Sequence, residues 1–176
     1  AWKQDFPLRL TLSAHDGGSD STGKYQGSAT VSGDHLLTLN DLLYASINRD
    51  LGGGKPGERG TRGHTVHYSL PFDYWTFGIT TSANRYHQSV AGANQTYRYS
   101  GTSENHEIKL SRLIYRDAAH KTTVSLRGYL TKSNNYIDDT EVEVQRRRMA
   151  GWEAGFGHRA FLGQSTIDLN LAYRRG

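Results

Sequence analysis

The residues richest in potential chemistry lie at 136–148, YIDDTEVEVQRRR. Asp138, Asp139, Glu141 and Glu143 fall within six residues there, and Arg146, Arg147 and Arg148 follow in a row. Close carboxylates could act as acid and base, and an arginine run could meet nucleic acid. A third option is an element whose charges face something other than bulk water.

Other candidates lose their chemistry once spacing is considered. GGGKPG at 52–57 looks like a phosphate cradle, but that motif needs Ser or Thr after its lysine and a helix beyond. Here Pro56 follows Lys55, and no helical pattern comes after it. Among the eight histidines, His64 and His67 are three apart, which in a strand sends them to opposite faces and spoils chelation. His15, His35, His87, His106, His120 and His158 are scattered. Asn94-Gln95-Thr96 matches a glycosylation sequon, a triplet that arises often by chance. Cysteine is absent, so thiolate ligands and cysteine nucleophiles are excluded. No Ser/His/Asp grouping can be assembled from spacing. The reading is therefore no enzyme, no metal and no cofactor.

The elements that carry these residues are strands. In WTFGITTSA, Trp75, Phe77, Ile79 and Ala83 alternate with Thr76, Gly78, Thr80 and Ser82. In TTVSLRGYLT, Val124, Leu126, Gly128 and Leu130 alternate with Thr123, Ser125, Arg127, Tyr129 and Thr131. Leu8, Leu10 and Leu12 oppose Arg9, Thr11 and Ser13, and Ile167, Leu169 and Leu171 oppose Asp168 and Asn170. Helical spacing would set Arg127 and Asp168 beside leucines, so a period of two fits better. About nine such segments are predicted, near 7–16, 24–34, 39–50, 62–72, 74–87, 96–116, 120–136, 141–160 and 165–175. Tight turns (PFD, RDAAH, FLGQ) alternate with looser glycine-rich links (SDSTG, GGGKPGERG, VAGAN).

Length and composition narrow the class. The chain has 176 residues, about one domain, with 20 glycines, 3 prolines and a net charge of only +4. That charge is a weak argument for nucleic acid. Eleven tyrosines, three tryptophans and five phenylalanines accompany a mean hydropathy of −0.69. No run approaches the ~18 apolar residues of a membrane helix. The opening AWKQDFPLRL lacks a leader's apolar core and is expected to follow a cut. Long, half-apolar strands with short turns at one end describe an up-and-down membrane barrel, because strands of a soluble sandwich are nearer ~5–6 residues. Phe72, Tyr74, Trp75 and Tyr115 would form one interfacial girdle, and Tyr25, Tyr86 and Tyr136 the other.

With a strand at 141–160, Glu141, Glu143 and Gln145 would share a face with Arg147, and Val142 and Val144 would share the other with Arg146 and Arg148. A lipid-facing arginine at mid-membrane costs ~2–4 kcal/mol, so the arginine run is expected at or above the outer interface. The stretch from Tyr136 to Arg148 then reads as a charge-laced outer hairpin, with its valines turned from water.

The same stretch carries a family resemblance. NNYIDDTEVEVQRRR, with STGKYQGSATVS at 21–32, YSLPFDYWTFGITTSANRYHQSVAG at 68–92 and TYRYSGTS at 96–103, resembles the transporters of two-partner secretion. These are the TpsB proteins of the ShlB/FhaC/HecB type, including contact-dependent inhibition exporters. The resemblance runs from LRLTLSAHDGG to LNLAYRRG. It implies a Gram-negative outer-membrane pore that exports a large β-helical haemolysin, adhesin or toxin without ATP. It further implies a sixteen-stranded barrel preceded by POTRA domains and a plug helix, with a Val-Arg-Gly-Tyr loop motif further along. The expected fold is thus all-β: an antiparallel up-and-down transmembrane barrel, with residues 1–176 forming its N-terminal portion of about nine strands. Alone, such a portion would have two unpaired edges.

The expected lumen-lining residues are Arg9, Thr11, Ser13, Thr76, Thr80, Arg127, Tyr129, Glu153, Asp168 and Asn170. The expected partners are a secreted protein and outer-membrane lipid, with no nucleic acid, and the transporter is expected to work as a monomer. A porin-like channel and a soluble β-sandwich that binds carbohydrate through its tyrosines are the alternatives.

Overall fold

A computed structural model describes residues 7–37, 39–54 and 57–176. Lys55 and Pro56 of the glycine-rich link, and the first six residues of the AWKQDFPLRL start, lie outside the described residues. Nine long strands follow one another: β1 (Leu8–His15), β2 (Tyr25–Asp34), β3 (Leu42–Gly52), β4 (Arg59–Phe72), β5 (Trp75–Ala91), β6 (Thr96–Arg116), β7 (His120–Ile137), β9 (Arg147–Leu162) and β10 (Ser165–Arg175). A two-residue strand, β8 (Thr140–Glu141), and a 3₁₀ turn at Glu143–Gln145 fill the gap before β9.

Every long strand pairs antiparallel with its neighbour in sequence, so the sheet is an up-and-down meander with β1 and β10 at its edges. The register is continuous over long stretches, from Ala91↔Thr96 to Trp75↔Arg112 between β5 and β6. Regular pairing of this length fits the observed alternation: a one-residue slip would carry every leucine to the polar side.

The sheet is a single layer. Strands contact only their hydrogen-bonded neighbours, and among the described residues no hydrophobic side chain is fully buried. Leu10, Leu12, Ile47, Ile108, Leu126, Ile167, Leu169 and Leu171 all stand exposed. A soluble domain must cover such a face with a second layer, so the β-sandwich alternative fails here.

Strand length separates two zones. At about 3.3 Å per residue, the 21 residues of β6 reach about 70 Å. Crossing a hydrocarbon layer takes only ~9–11 tilted residues. On the apolar face, aliphatic and aromatic residues run from Trp75 to Ile79 on β5, followed by Thr81, Ala83, Arg85 and His87. On β6, Leu110 and Ile108 give way to His106, Glu104 and Thr102 toward the looser links. The central strands therefore continue well past the apolar band and become polar on both faces.

The hairpin at 136–148 departs from the predicted strand. Asp138 and Asp139 take φ of 46° and 66°, values typical of a two-residue hairpin turn whose twist matches the strands. The turn sets Tyr136 against Glu141 and Ile137 against Thr140. Pairing with β7 resumes only at Arg147↔Ser133, and the intervening 3₁₀ turn takes up an odd number of surplus residues. An odd shift exchanges faces. Glu141 therefore shares the face of Tyr136, whereas Arg147 shares the face of Ser133. Glu143 and Gln145 lie in the 3₁₀ turn, and Val144 is 94% exposed rather than turned from water.

Candidate functional site

The polar face is assembled from residues directly opposite one another, which share a side of the sheet. Arg9, Thr11 and Ser13 stand against Ser32, Thr30 and Ser28. The row through Ser32 continues to Tyr44, His67, Thr80, Glu107, Tyr129 and Gly151. Thr76 begins a second row through Ser111, Ser125 and Gly155. Arg127 lies opposite Lys109 and Glu153, and Glu153 opposite Arg174. Asp168 and Asn170 face Arg159 and Gly157. All ten residues expected on the polar face from alternation share it.

What spacing could not show is how thoroughly these groups satisfy one another. Arg127 donates through one terminal nitrogen to Glu107 Oε2 and through the other to Glu153 Oε2, each at 3.0 Å. Arg174 Nε donates to the same Glu153 oxygen at 2.9 Å. Glu153, with 19% of its side chain exposed, is thus held between two guanidiniums. Arg159 grips Asp168 at 2.6 and 3.2 Å, and Arg9 pairs with Asp34.

Neutral groups pair likewise. Ser13 meets Ser28 at 2.8 Å, the Thr30 hydroxyl donates to Ser46 at 2.9 Å, and that of Thr131 donates to Asn105 at 2.8 Å. His67 Nδ1 meets Thr80 Oγ1 at 2.8 Å and stacks on Tyr44 with centroids 5.2 Å apart. Tyr129 lies under the Arg127 guanidinium, 5.5 Å from its centroid. It can lie flat against the wall because residue 151 is glycine: a Cβ there would stand 2.6 Å from the Tyr129 hydroxyl. The result is a hydrogen-bonding surface on which Arg9, Arg127, Arg159 and Arg174 each pair with a carboxylate.

Glu107, Arg174, Arg159, Asp34, His67 and Tyr44 belong to this surface but escape a reading by spacing. Their alternation was visible; the register that brings each to its partner was not. Tyr86 also differs from expectation. It joins the polar face, where its hydroxyl donates to Asn135 Oδ1 at 3.1 Å, and does not stand at an outer girdle. Phe72, Tyr74 and Trp75 are exposed around the tight turn as expected, with the Arg112 guanidinium 5.0 Å from the centroid of a Trp75 ring. The remaining hairpin residues secure the loop end. Asp138 accepts the Arg98 N–H at 2.7 Å, Tyr99 donates to Gln145 at 2.8 Å, and Arg146 lies 3.7 Å from Glu141. Arg148 stands opposite Lys132 on the outward face, two residues past the Ala150↔Leu130 pair.

A one-layer meander, apolar and uncovered on one side and polar and internally bonded on the other, defines a class: a segment of membrane-barrel wall. All of residues 1–176 match the family model described as haemolysin secretion/activation protein ShlB/FhaC/HecB, and the chain belongs to that family. It is 30% identical over 174 residues to an outer membrane transporter, CdiB-2, of Burkholderia pseudomallei, covering 99% of this chain and 30% of that protein. It is 26% identical over 172 residues to the hemolysin transporter protein ShlB of Serratia marcescens, covering 97% of this chain and 30% of that protein. Among solved structures, CdiB from Escherichia coli superposes with a TM-score of 0.89 at 21% identity, over 99% of this chain and 32% of that one. CdiB from Acinetobacter baumannii gives 0.77 at 27% identity, over 96% and 31%. The chain therefore spans about a third or less of the length of these relatives.

Proposed function

We propose that this chain is part of the wall of a Gram-negative outer-membrane barrel that exports a large partner protein by two-partner secretion, without ATP. The partner would be a haemolysin, an adhesin or a contact-dependent toxin; the first is in keeping with the names of two relatives. The observation that carries the reading is the contrast between the faces: uncovered Leu, Ile and Phe on one, and self-satisfied Ser, Thr, Tyr and ion pairs on the other.

In this role Arg9, Thr11, Ser13, Thr76, Thr80, Arg127, Tyr129, Glu153, Asp168 and Asn170 line the passage. They keep it wet and offer a passing unfolded chain brief hydrogen bonds. Paired charges suit transit, since a bare charge would hold one segment of the cargo and repel another. No bond is made or broken, and one copy of the transporter suffices.

The test uses the full-length transporter in the outer membrane, with paired substitutions Leu126→Asp and Thr80→Asp. The first should abolish folded barrel, read by heat-modifiable gel mobility, together with appearance of the partner outside the cell. The second should leave assembly intact. Equal tolerance of both substitutions would overturn the face assignment. Intact partner export in cells that lack the transporter but have lost small-solute permeability would instead make it a porin.

A further inference from the structure

Above the apolar band, the outward face carries a row of cations, with Glu104 the acidic residue next along that face from Arg85. Arg49 lies directly opposite Arg62, and Arg62 directly opposite Arg85. Like charges placed opposite one another on adjacent strands repel. Yet none of the three forms an ion pair with a described residue. The row continues into Thr102 and Asn134, both neutral hydrogen-bonding residues.

An open cleft of about 740 Å³ adjoins this row, lined by Arg49, Arg62, Arg85 and Arg98 with His87 and Tyr136, and by Arg59 and Tyr86 from the polar face. Asp50 and Asp139 border it. Asp50 already accepts the Thr61 N–H at 3.0 Å, and the Arg98 guanidinium lies 3.7 Å from Glu58. Five guanidiniums thus line the cleft, and among the described residues Arg49, Arg62 and Arg85 form no ion pair.

Position identifies the occupant. The row lies toward the looser links, near residues 53–54, 57–58 and 92–95, the end that faces outward in bacterial barrels. It follows the last aliphatic of the outward face by two residues on β3 (Ile47), four on β4 (Val66) and six on β5 (Ile79). Lipid head groups of the outer leaflet would meet a barrel wall past its apolar band. Guanidinium forks bind phosphate in bidentate fashion, and neutral Thr102, Asn134 and Ser100 suit sugar hydroxyls.

We propose that Arg49, Arg62 and Arg85 form a binding site for the phosphates of an outer-leaflet glycolipid with a phosphorylated sugar head group. The site rests on the assignment of the leucine face to lipid. The bound anion removes the repulsion that the protein leaves in place, so the lipid acts as a structural partner of the extended strands.

The experiment uses the full-length transporter purified from outer membranes in mild detergent. Wild type is compared with R49Q/R62Q/R85Q and with R49K/R62K/R85K. A control, K109Q/R116Q/K121Q, loses the same charge on the inward face at the tight-turn end. Co-purified glycolipid is counted by native mass spectrometry, and binding of diphosphorylated, monophosphorylated and dephosphorylated lipid A is titrated. Each cation at an anionic surface is worth about a fivefold gain, so losing three should weaken binding on the order of 100-fold.

The lysine variant should keep most of the affinity, the inward control should keep all of it, and dephosphorylated lipid should bind every form weakly. Millimolar inorganic phosphate should not displace the lipid; displacement would make this a free-phosphate site and overturn the lipid assignment. Lipid retention by the glutamine variant equal to wild type, or retention indifferent to phosphorylation, overturns the proposal. Gel mobility of each form confirms a folded barrel. A failed Leu126/Thr80 contrast overturns the face assignment, whereas a failed lipid titration with that contrast intact overturns this site alone.

Discussion

Two groups of arginines occupy the same sheet under opposite rules. Arg127, midway along β7 on the polar face, touches two carboxylates at 3.0 Å, and one of them is shared with Arg174. Arg49, Arg62 and Arg85, on the outward face beyond the apolar band, stand in one row and form no ion pair among the described residues. Arg127 and its partners are partly withdrawn from solvent, where an unpaired charge is costly, and there the wall supplies its own counter-ions. Above the membrane water screens the charges, and an external anion can serve. The contrast teaches that the wall pairs its charges on the polar face and leaves Arg49, Arg62 and Arg85 unpaired on the other.

The largest effect comes from ignoring the faces altogether. Leu126→Arg should destabilise the folded barrel in lipid vesicles by about 2–4 kcal/mol, measured by denaturant titration, while Thr80→Arg should change it little. Next is removal of Arg127. Alanine there removes the ion-pair partner of Glu107 and leaves Glu153 with Arg174 alone, for a loss of about 1–2 kcal/mol once partial exposure is allowed for. Adding Glu107→Gln should restore part of it, and no restoration would mean the network is not a unit.

The outer row should behave in reverse. In lipid-free detergent, Arg62→Gln should leave stability unchanged or raise it, by no more than about 1 kcal/mol. A loss there as large as that for Arg127 would erase the distinction between the two groups.

The smallest effect lies at the tight turn between β6 and β7. Asp117 accepts hydrogen bonds from the Tyr115 hydroxyl at 2.6 Å and from the N–H groups of Ala119 and His120 at 2.7 and 2.6 Å. The Tyr115 hydroxyl foremost, then these backbone donors, hold its carboxyl well below the usual carboxylate range. A lowered folded-state pKa stabilises the fold above the unfolded value near 4 and loses that contribution as pH falls below it. Asp117→Asn should therefore cost a modest amount of stability at neutral pH and nothing at strongly acid pH, read as a shrinking difference in unfolding midpoint.

Alternation made much of this legible in advance. A period of two in WTFGITTSA and TTVSLRGYLT identified strands and divided Leu126 from Arg127, because side-chain direction along a strand is fixed by backbone geometry alone. Nine long strands and all ten polar-face residues follow from that local rule. The hairpin did not, because the TEVEV alternation was overridden by a two-residue turn at Asp138–Asp139, and the surplus residues coiled into a 3₁₀ turn. Tyr86 escaped for a related reason: aromatic residues near strand ends suggest a girdle, but parity turns this one inward.

The sequence by itself determined which residues are strand, which face each takes and that one face is apolar, since these depend only on near neighbours along the chain. The tertiary structure alone decided which charges meet: Arg127 with Glu107 and Glu153, and Arg62 between Arg49 and Arg85. Register across strands is a property of pairs far apart in sequence, and a difference of one residue separates a salt bridge from a row of like charges.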